Sequence, residues 1–440
     1  MKLLCAADLH LGRQPSRLPA ALLSASAELT PAAAWRRLVH VAKEREVRAV
    51  LLAGDVLDDE HDFFEAFGDL KAGVEELVAA GIAVLAVSGN HDVEVLPRLA
   101  RAVPELVLLG EGGLWQTHTL DDGANFVHVV GWSYPARSVT NSPLATLPSA
   151  LIGLAPAPIV GLLHCDRDQG GSRYAPVTSA ELAAAAVDAW LLGHVHRPDV
   201  GGFTPVKGDA ARRGHGGAPA PVSGYLGSIF AADPGEEGGR GAWLLDVADG
   251  AITLDPVPLS PLRFETVTLD VSGLRDAADS GQAVALAFNQ LHARLRDEHA
   301  LLDSGAVAVG CRLVIAGRSA LRSELAKRLA EDDPRELLLT LDGVSYFVHD
   351  VRLEVLPAID LATAAAGSDP LALLARKLLM LDGPPSPEQQ ELLARGRGAL
   401  AAVAAGRHYR GLEPPELPDA VVADQLRQAA LELIDLMGAS

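Results

Sequence analysis

Asp8-Leu9-His10 closes the first apolar run of this sequence, and four more blocks of ligand-type residues follow. They are Gly54-Asp55, Gly89-Asn90-His91-Asp92, His164 and Gly193-His194-Val195-His196. Each comes after a short apolar run that reads as a buried strand: Lys2–Ala7, Val47–Ala53, Ile82–Val87, Ile159–Leu163 and Ala189–Leu192. Carboxylate, imidazole and amide oxygen together form a mixed hard and borderline donor set, which suits Mn²⁺, Fe or Zn²⁺ better than Mg²⁺ or Ca²⁺. Alternation in Asp8-x-His10 and His194-x-His196 predicts that both side chains of each pair lie on one side of an extended segment. A single carboxylate, Asp55, can bridge two ions roughly 3.5–4 Å apart, which could bind both the attacking and the leaving oxygen of a phosphate ester. Gly54, Gly89 and Gly193 are expected to permit tight turns beside the metals. Taken singly the blocks are weak, since Asp-x-His is common in surface loops and a lone histidine at a strand end is more often a satisfied core residue. Five in this order, each at a strand end, are hard to explain as coincidence.

The elements that must position these blocks alternate strand and helix. Pro31–Arg45 and Phe63–Ala80 have helical spacing, and further strands are predicted at Leu106–Leu109, Leu114–Thr119, Phe126–Gly131, Val222–Leu226 and Ala242–Val247. The mixture predicts an α+β fold, with two packed sheets and helices outside. Three prolines in Pro256–Pro261 mark a boundary, after which the pattern restarts as a small α+β region and then turns helical beyond Asp369. The expected division is therefore residues 1–260, 262–365 and 366–440. Gly201–Ser223, rich in Gly, Ala and Pro, reads as a mobile insertion or a substrate-facing loop. Gly411–Asp419 reads as a linker.

Composition sets bounds on function. The 440 residues carry a formal net charge of −20, and neither half has a basic excess. That argues against tight, sequence-independent nucleic-acid binding by the chain alone, although bound divalent ions would supply local positive charge. No apolar run has the length of a membrane span. The N-terminal run is broken too early by Asp8 and His10 for a signal peptide. Cys5, Cys165 and Cys311 are too widely spaced for a zinc knuckle or redox pair, and so low a count fits a reducing cytoplasm. There is no Gly-rich phosphate loop ending in Lys-Ser/Thr and no Gly-x-Ser-x-Gly elbow.

The five blocks resemble the signature of the calcineurin-like metallophosphoesterase superfamily. Asp8-Leu9-His10-Leu11-Gly12, Tyr174-Ala175-Pro176 and Leu192-Gly193-His194-Val195-His196 look like the SbcD-type DNA repair exonucleases within it. Gly235–Leu244 resembles the YhaO-like subgroup. The resemblance covers about residues 1–260 and implies a four-layer α/β/β/α sandwich with a small α+β capping domain and C-terminal helices. It implies one metal on Asp8, His10, Asp55 and His196, and another on Asp55, Asn90, His164 and His194. It implies that His91 protonates the leaving oxygen or stabilises the transition state, oriented by Asp92, while a hydroxide activated by two metals attacks phosphorus. It also implies DNA as substrate, an SbcC-like, SMC-type coiled-coil ATPase as partner, and dimerisation through helices of the catalytic domain, for which Phe63–Ala80 is the candidate. The last helix, apolar at Val421, Val422, Leu426, Leu433, Ile434 and Met437, would dock on such a coiled coil or fold back on the chain.

The sequence departs from the nuclease pattern twice. Asp58 stands where a histidine is usual, and is either a partner of the metal ligands or a solvated acid. The turn Tyr225-Leu226-Gly227-Ser228 is followed by Ile229-Phe230-Ala231-Ala232 instead of polar and basic residues. The leading expectation is a cytoplasmic, Mn²⁺-dependent DNA nuclease of repair. A phosphodiesterase or phosphatase for a small nucleotide is the second, and a catalytically silent scaffold subunit the third.

Overall fold

The computed structural model describes residues 1–58, 63–148, 157–200, 222–248, 251–276, 280–297, 305–331, 334–356, 358, 360–404 and 417–438. Most of the Gly201–Ser223 loop and of the Gly411–Asp419 linker therefore lies outside the described residues. By contacts the chain divides into two compact units. One comprises Met1–Leu269, Gly281–Val314 and Asp332–Arg352; the other comprises Asp270–Ser280, Ile315–Glu331 and Leu353–Ser440.

The first unit opens with β1 (Lys2–Ala6), α1 (Pro31–Glu44), β2 (Ala49–Ala53), α2 (Phe63–Ala79), β3 (Ala83–Val87), α3 (Leu96–Ala102) and β4 (Leu106–Leu108). The four strands pair in parallel. α1 starts where Thr30 Oγ1 accepts from Ala33 N at 3.2 Å and Pro31 takes the first turn. Strand side chains alternate between two cores, as a period of two demands. Leu4, Ala6, Val50, Leu52 and Val84 face the helices and pack with Trp35, Leu38, Leu70 and Val74. Leu3, Cys5, Leu51, Leu85 and Val87 face the other way and meet Val127, Val129, Val160, Leu162 and Leu191 of a second sheet.

That second sheet is built from β5 (Trp115–Asp121), β6 (Phe126–Trp132), β7 (Ile159–His164), β8 (Ala189–Gly193) and β9 (Val222–Tyr225), in sequence order across the sheet. β5 and β6 are antiparallel and the rest run parallel. Its outer face, with Trp132, Leu163, Trp190 and Leu192, packs on Val177 and on Leu182 of the short α4 (Ser179–Ala184). Helices, sheet, sheet and helix are thus stacked in the order expected. β10 (Gly241–Ala248) and β11 (Ala251–Pro258) extend the first sheet antiparallel beyond β1. Pro256 and Pro258 sit inside β11, which is an edge strand and so tolerates residues without an N–H.

The four-stranded sheet has the order β12-β13-β15-β14, from β12 (Leu262–Asp270), β13 (Ala308–Arg318), β14 (Leu338–Leu341) and β15 (Val344–Leu356). Two helices interrupt it, α5 (Ser280–Asp297) and α6 (Arg322–Glu331). Asp342 and Gly343, at φ +47° and +81°, form the two-residue turn between β14 and β15. In the second unit, α7 (Leu361–Ala365), α8 (Pro370–Asp382), α9 (Pro387–Ala404) and α10 (Asp419–Gly438) follow. Val422 of α10 is buried with Leu381 and Leu393, so part of the last helix's apolar stripe is spent on its neighbours, while Val421, Leu433 and Met437 stay exposed. No helix among the described residues is long and apolar enough to cross a membrane. The three cysteines are free and buried.

Candidate metal centre

The C-terminal ends of β1, β2, β3, β7 and β8 bring the five blocks together between the two facing sheets. Asp8, His10 and His196 place ligand atoms within 4.8 Å of one another, and so do Asp55, His164 and His194. Asn90 Oδ1 lies 3.2 Å from His164 Nε2, which joins it to the second group. Asp8, His10, Asp55, Asn90 and His164 are buried. Extended backbone does not achieve this. Asp8, His10, Asp55 and His194 have φ of +50°, +46°, +47° and +100°, a region that non-glycine residues seldom adopt. Such strain concentrates at functional sites. The alternation expected for Asp8-x-His10 is therefore replaced by two left-handed residues that turn both side chains inward.

The glycines act mainly by leaving space. A Cβ on Gly89 would fall 2.1 Å from Asp55 Oδ1, and one on Gly193 would fall 2.1 Å from the Ala53 carbonyl oxygen. Neither has a left-handed φ; of the three expected turn glycines only Gly54 does, at +90°.

Each of His10, His164, His194 and His196 has an oxygen partner on one ring nitrogen. His164 Nδ1 donates to the Ala53 carbonyl at 3.1 Å, which turns Nε2 toward Asp55 and Asn90. His10 Nδ1 lies 2.8 Å from Asp58 Oδ1, and His196 Nδ1 is hydrogen-bonded to Glu236. Asp166 Oδ1 lies 3.2 Å from His194 Nε2. Asp58 is thus a partner of His10 and not merely a solvated acid. Glu236 and Asp166 had no role in the sequence reading. Asp166 follows a strand end by two residues and was open to detection there; Glu236 lies 40 residues beyond His196, in a turn with no periodic signal.

This donor set fits a pair of cations. With Nδ1 of both His10 and His196 turned to carboxylates, their Nε2 lone pairs point into one space, 3.1 Å apart. Two lone pairs at that distance need a positive ion or a proton between or beside them. Asp8, His10 and His196 also border a cavity of about 10 Å³, with the buried Ser228 hydroxyl, which has no hydrogen-bond partner among the described residues. His164 Nε2 meets Asp55 Oδ2 and Asn90 Oδ1, each at 3.2 Å, so acceptors converge there too.

Protons take up this role when no metal is bound. Burial acts to raise Asp55, but the charge and hydrogen bond of His164 outweigh it and hold the carboxyl well below its ordinary range. Burial pushes His164 down, but Asp55 more than reverses this and lifts it to about 9. Burial raises Asp8 despite its histidine neighbours. Burial, with His164, holds His194 down at about 4. The folded value of His164 lies above that of a free imidazole, ~6.5. Its proton therefore stabilises the fold fully below about pH 6.5, and that contribution is lost as pH rises through about 9. Metal-free protein is expected to melt at a lower temperature at pH 9 than at pH 6.5, and added Mn²⁺ to raise the melting temperature more at the higher pH. Calorimetry with and without chelator checks this; a metal-free melting temperature that stays flat between those pH values would contradict it.

His91 is exposed, and its Nδ1 donates to the Asp58 carbonyl oxygen at 3.0 Å. Asp92, expected to orient it, does something else. Its carboxylate is fully buried and accepts from Val56 N and Gly89 N, both at 2.7 Å. It ties the β2 and β3 loops together, and burial followed by Asp55 pushes it up to about 7. His91 stays close to His10, with ring centroids 5.3 Å apart.

Replacing Glu236 by glutamine keeps size but removes the charge behind His196. Burial raises this carboxyl while His196 lowers it, and the net effect is downward. Glu236→Gln is expected to weaken metal binding by about 10–100-fold. Isothermal titration with Mn²⁺ reads this out; unchanged affinity and stoichiometry would show that Glu236 does not support a ligand.

The calcineurin-like phosphoesterase family model matches residues 1–198. The chain is 27% identical over 303 residues to the uncharacterized metallophosphoesterase YhaO of Bacillus subtilis (strain 168), covering 65% of this chain and 67% of that protein. Among solved structures, a dimetal phosphatase from Danio rerio aligns with TM-score 0.37 and 11% identity, over 58% of this chain and 95% of that one. The calcineurin-like phosphoesterase YfkN from Bacillus subtilis aligns with TM-score 0.34 and 13% identity, over 58% and 87%. The family match and the relative support metal-dependent phosphoester hydrolysis, and with it membership of the calcineurin-like metallophosphoesterase superfamily.

Proposed function

We propose that the chain is a phosphodiesterase that cleaves DNA, with Asp8, His10, Asp55 and His196 holding one ion and Asp55, Asn90, His164 and His194 the other. The observation that carries the metal-dependent part is the convergence of these side chains at five strand ends, four of them in left-handed backbone. When bound, the ions would supply Lewis-acid polarisation of the phosphoryl group and a lowered pKa for water. Mn²⁺ is the proposed metal, with Fe or Zn²⁺ also suited to the donors. The protein's own residues do the rest. Asp58 and Glu236 fix which nitrogen of His10 and His196 faces the ions. His91, with Nδ1–H committed to a carbonyl oxygen, carries its second proton on Nε2 when charged, and that proton is available to a leaving oxygen.

DNA as substrate rests on the SbcD-type motifs, and one departure from them loses its force. Ile229, Phe230, Ala231 and Ala232 are buried in the helix-side core, so their apolar character reflects packing. We propose further that residues 1–260 carry catalysis, 262–365 cap the substrate and 366–440 meet an SbcC-like ATPase, in the cytoplasm. Dimerisation through α2 is part of the same proposal; the helix already buries Ala66, Leu70, Val74 and Leu77 in its own core. The small-nucleotide reading is the alternative outcome of the test. Purified chain with Mn²⁺ should release nucleotides from linear DNA, and chelator should stop it. Cleavage of a small phosphodiester with DNA left intact would refute the nuclease reading.

A further inference from the structure

We propose that Arg13 binds substrate phosphate, and that the cleft it borders takes the nucleotide next to the scissile phosphate of a single strand; this rests on the nucleic-acid reading above. Arg13 lies one turn past His10, with its N–H on the His10 carbonyl at 3.0 Å. The residue is half-buried, and among the described residues its guanidinium has no hydrogen bond or ion pair. Asp58 feels its field, but the Asp58 carboxylate is engaged by His10. A cation beside the candidate metal centre with no counter-ion contact among the described residues stands out in a chain of net charge −20.

Its position explains what could neutralise it. Arg13 lines the small cavity at Asp8, His10 and His196, and also an adjoining cleft of about 280 Å³. That cleft is bordered further by Gln14, Thr30, Arg36 and Asp69. Arg36 pairs loosely with Asp69 at 3.5 Å and Glu28 at 3.9 Å, and all three side chains are substantially exposed. Such pairs hold weakly and can rearrange. With Arg36 shared between Asp69 and Glu28, Arg13 is the cation on this wall that holds no ion pair among the described residues. Ala27 and Ala32 supply apolar surface beside it. The volume is near the lower end of small-ligand pockets, on the scale of a single nucleotide. A phosphomonoester at the metal centre would leave the cleft empty, whereas a strand carries a further phosphate and a further sugar and base into it. Arginine suits the role, since its guanidinium can take two phosphate oxygens at once.

The test compares the full chain with Arg13→Ala, Arg13→Lys and Arg36→Ala, all with Mn²⁺. Fluorescence anisotropy measures binding of a labelled single-stranded phosphorothioate tetranucleotide as salt is varied, and turnover is measured on an oligonucleotide and on bis(p-nitrophenyl) phosphate. Arg13→Ala is expected to weaken oligonucleotide binding about tenfold and to reduce the logarithmic salt slope by about 0.7, while Arg13→Lys keeps the slope. The loss in kcat/KM on the oligonucleotide is expected to exceed that on the aryl ester about tenfold, with Arg36→Ala showing a smaller effect of the same kind. Binding by Arg13→Ala equal to that of the unaltered chain overturns the proposal alone. So does equal loss in Arg13→Ala and Arg13→Lys accompanied by lower melting temperatures, which would assign Arg13 a structural role. If the unaltered chain hydrolyses the aryl ester but neither binds nor cuts the oligonucleotide, the nucleic-acid reading fails and takes this proposal with it.

Discussion

Alanine in place of Asp55 is expected to cut phosphodiester turnover by about a thousandfold or more and to leave the protein unable to retain either metal ion. The Asp55 carboxylate reaches two of the other blocks. Asp55 Oδ1 accepts from His91 N at 3.0 Å, and Oδ2 lies 3.2 Å from His164 Nε2. The carboxylate is almost fully buried, so its charge is weakly screened and its loss is felt by every neighbour. Asp55→Asn keeps an oxygen for His91 N but removes the charge, and is expected to lose metal while disturbing the fold less. Metal content by mass spectrometry and turnover of bis(p-nitrophenyl) phosphate are the readouts. Two ions retained by Asp55→Ala, at unaltered affinity, would mean that Asp55 is not shared between them.

The same site shows which of its features a sequence can disclose. The ligands were legible because each follows a run such as Ala49–Ala53, whose unbroken hydrophobicity marks a strand buried on both faces. Nothing in a residue type announces a left-handed φ, so Asp8 and His10 were expected on extended backbone. The role that the resemblance implied for Asp92 is not the one its contacts show. Its carboxylate turns to Val56 N and Gly89 N, while His91 reaches the Asp58 carbonyl from another strand end. Glu236 was hidden because its partner His196 is close only after β9 and the turn behind it are in place. Ile229–Ala232 looked like lost substrate contacts because burial cannot be read from four apolar residues without knowing which face they occupy. β11 was obscured by its own prolines, which an edge strand accepts and a central strand would not.

His91→Ala separates chemistry from metal retention, and its expected effect is the second largest. Loss of a proton donor at the leaving oxygen costs about 10²–10⁴-fold in rate. That cost should depend on the leaving group. An alkoxide from a sugar needs the proton, whereas p-nitrophenolate departs without it, so His91→Ala should lose far more activity on an oligonucleotide than on the aryl ester. A competing role is open to the same residue, since His10, Asp58 and His91 also bring ligand atoms within 4.8 Å of one another. If His91 were a ligand, its removal would lower metal content and depress both substrates alike. Retention of both ions, with a loss concentrated on the poor leaving group, is the expected result. A uniform loss with metal released would transfer His91 to the ligand set and leave Asp58, through its carboxylate and its carbonyl, as the residue that positions both His10 and His91 at the first ion.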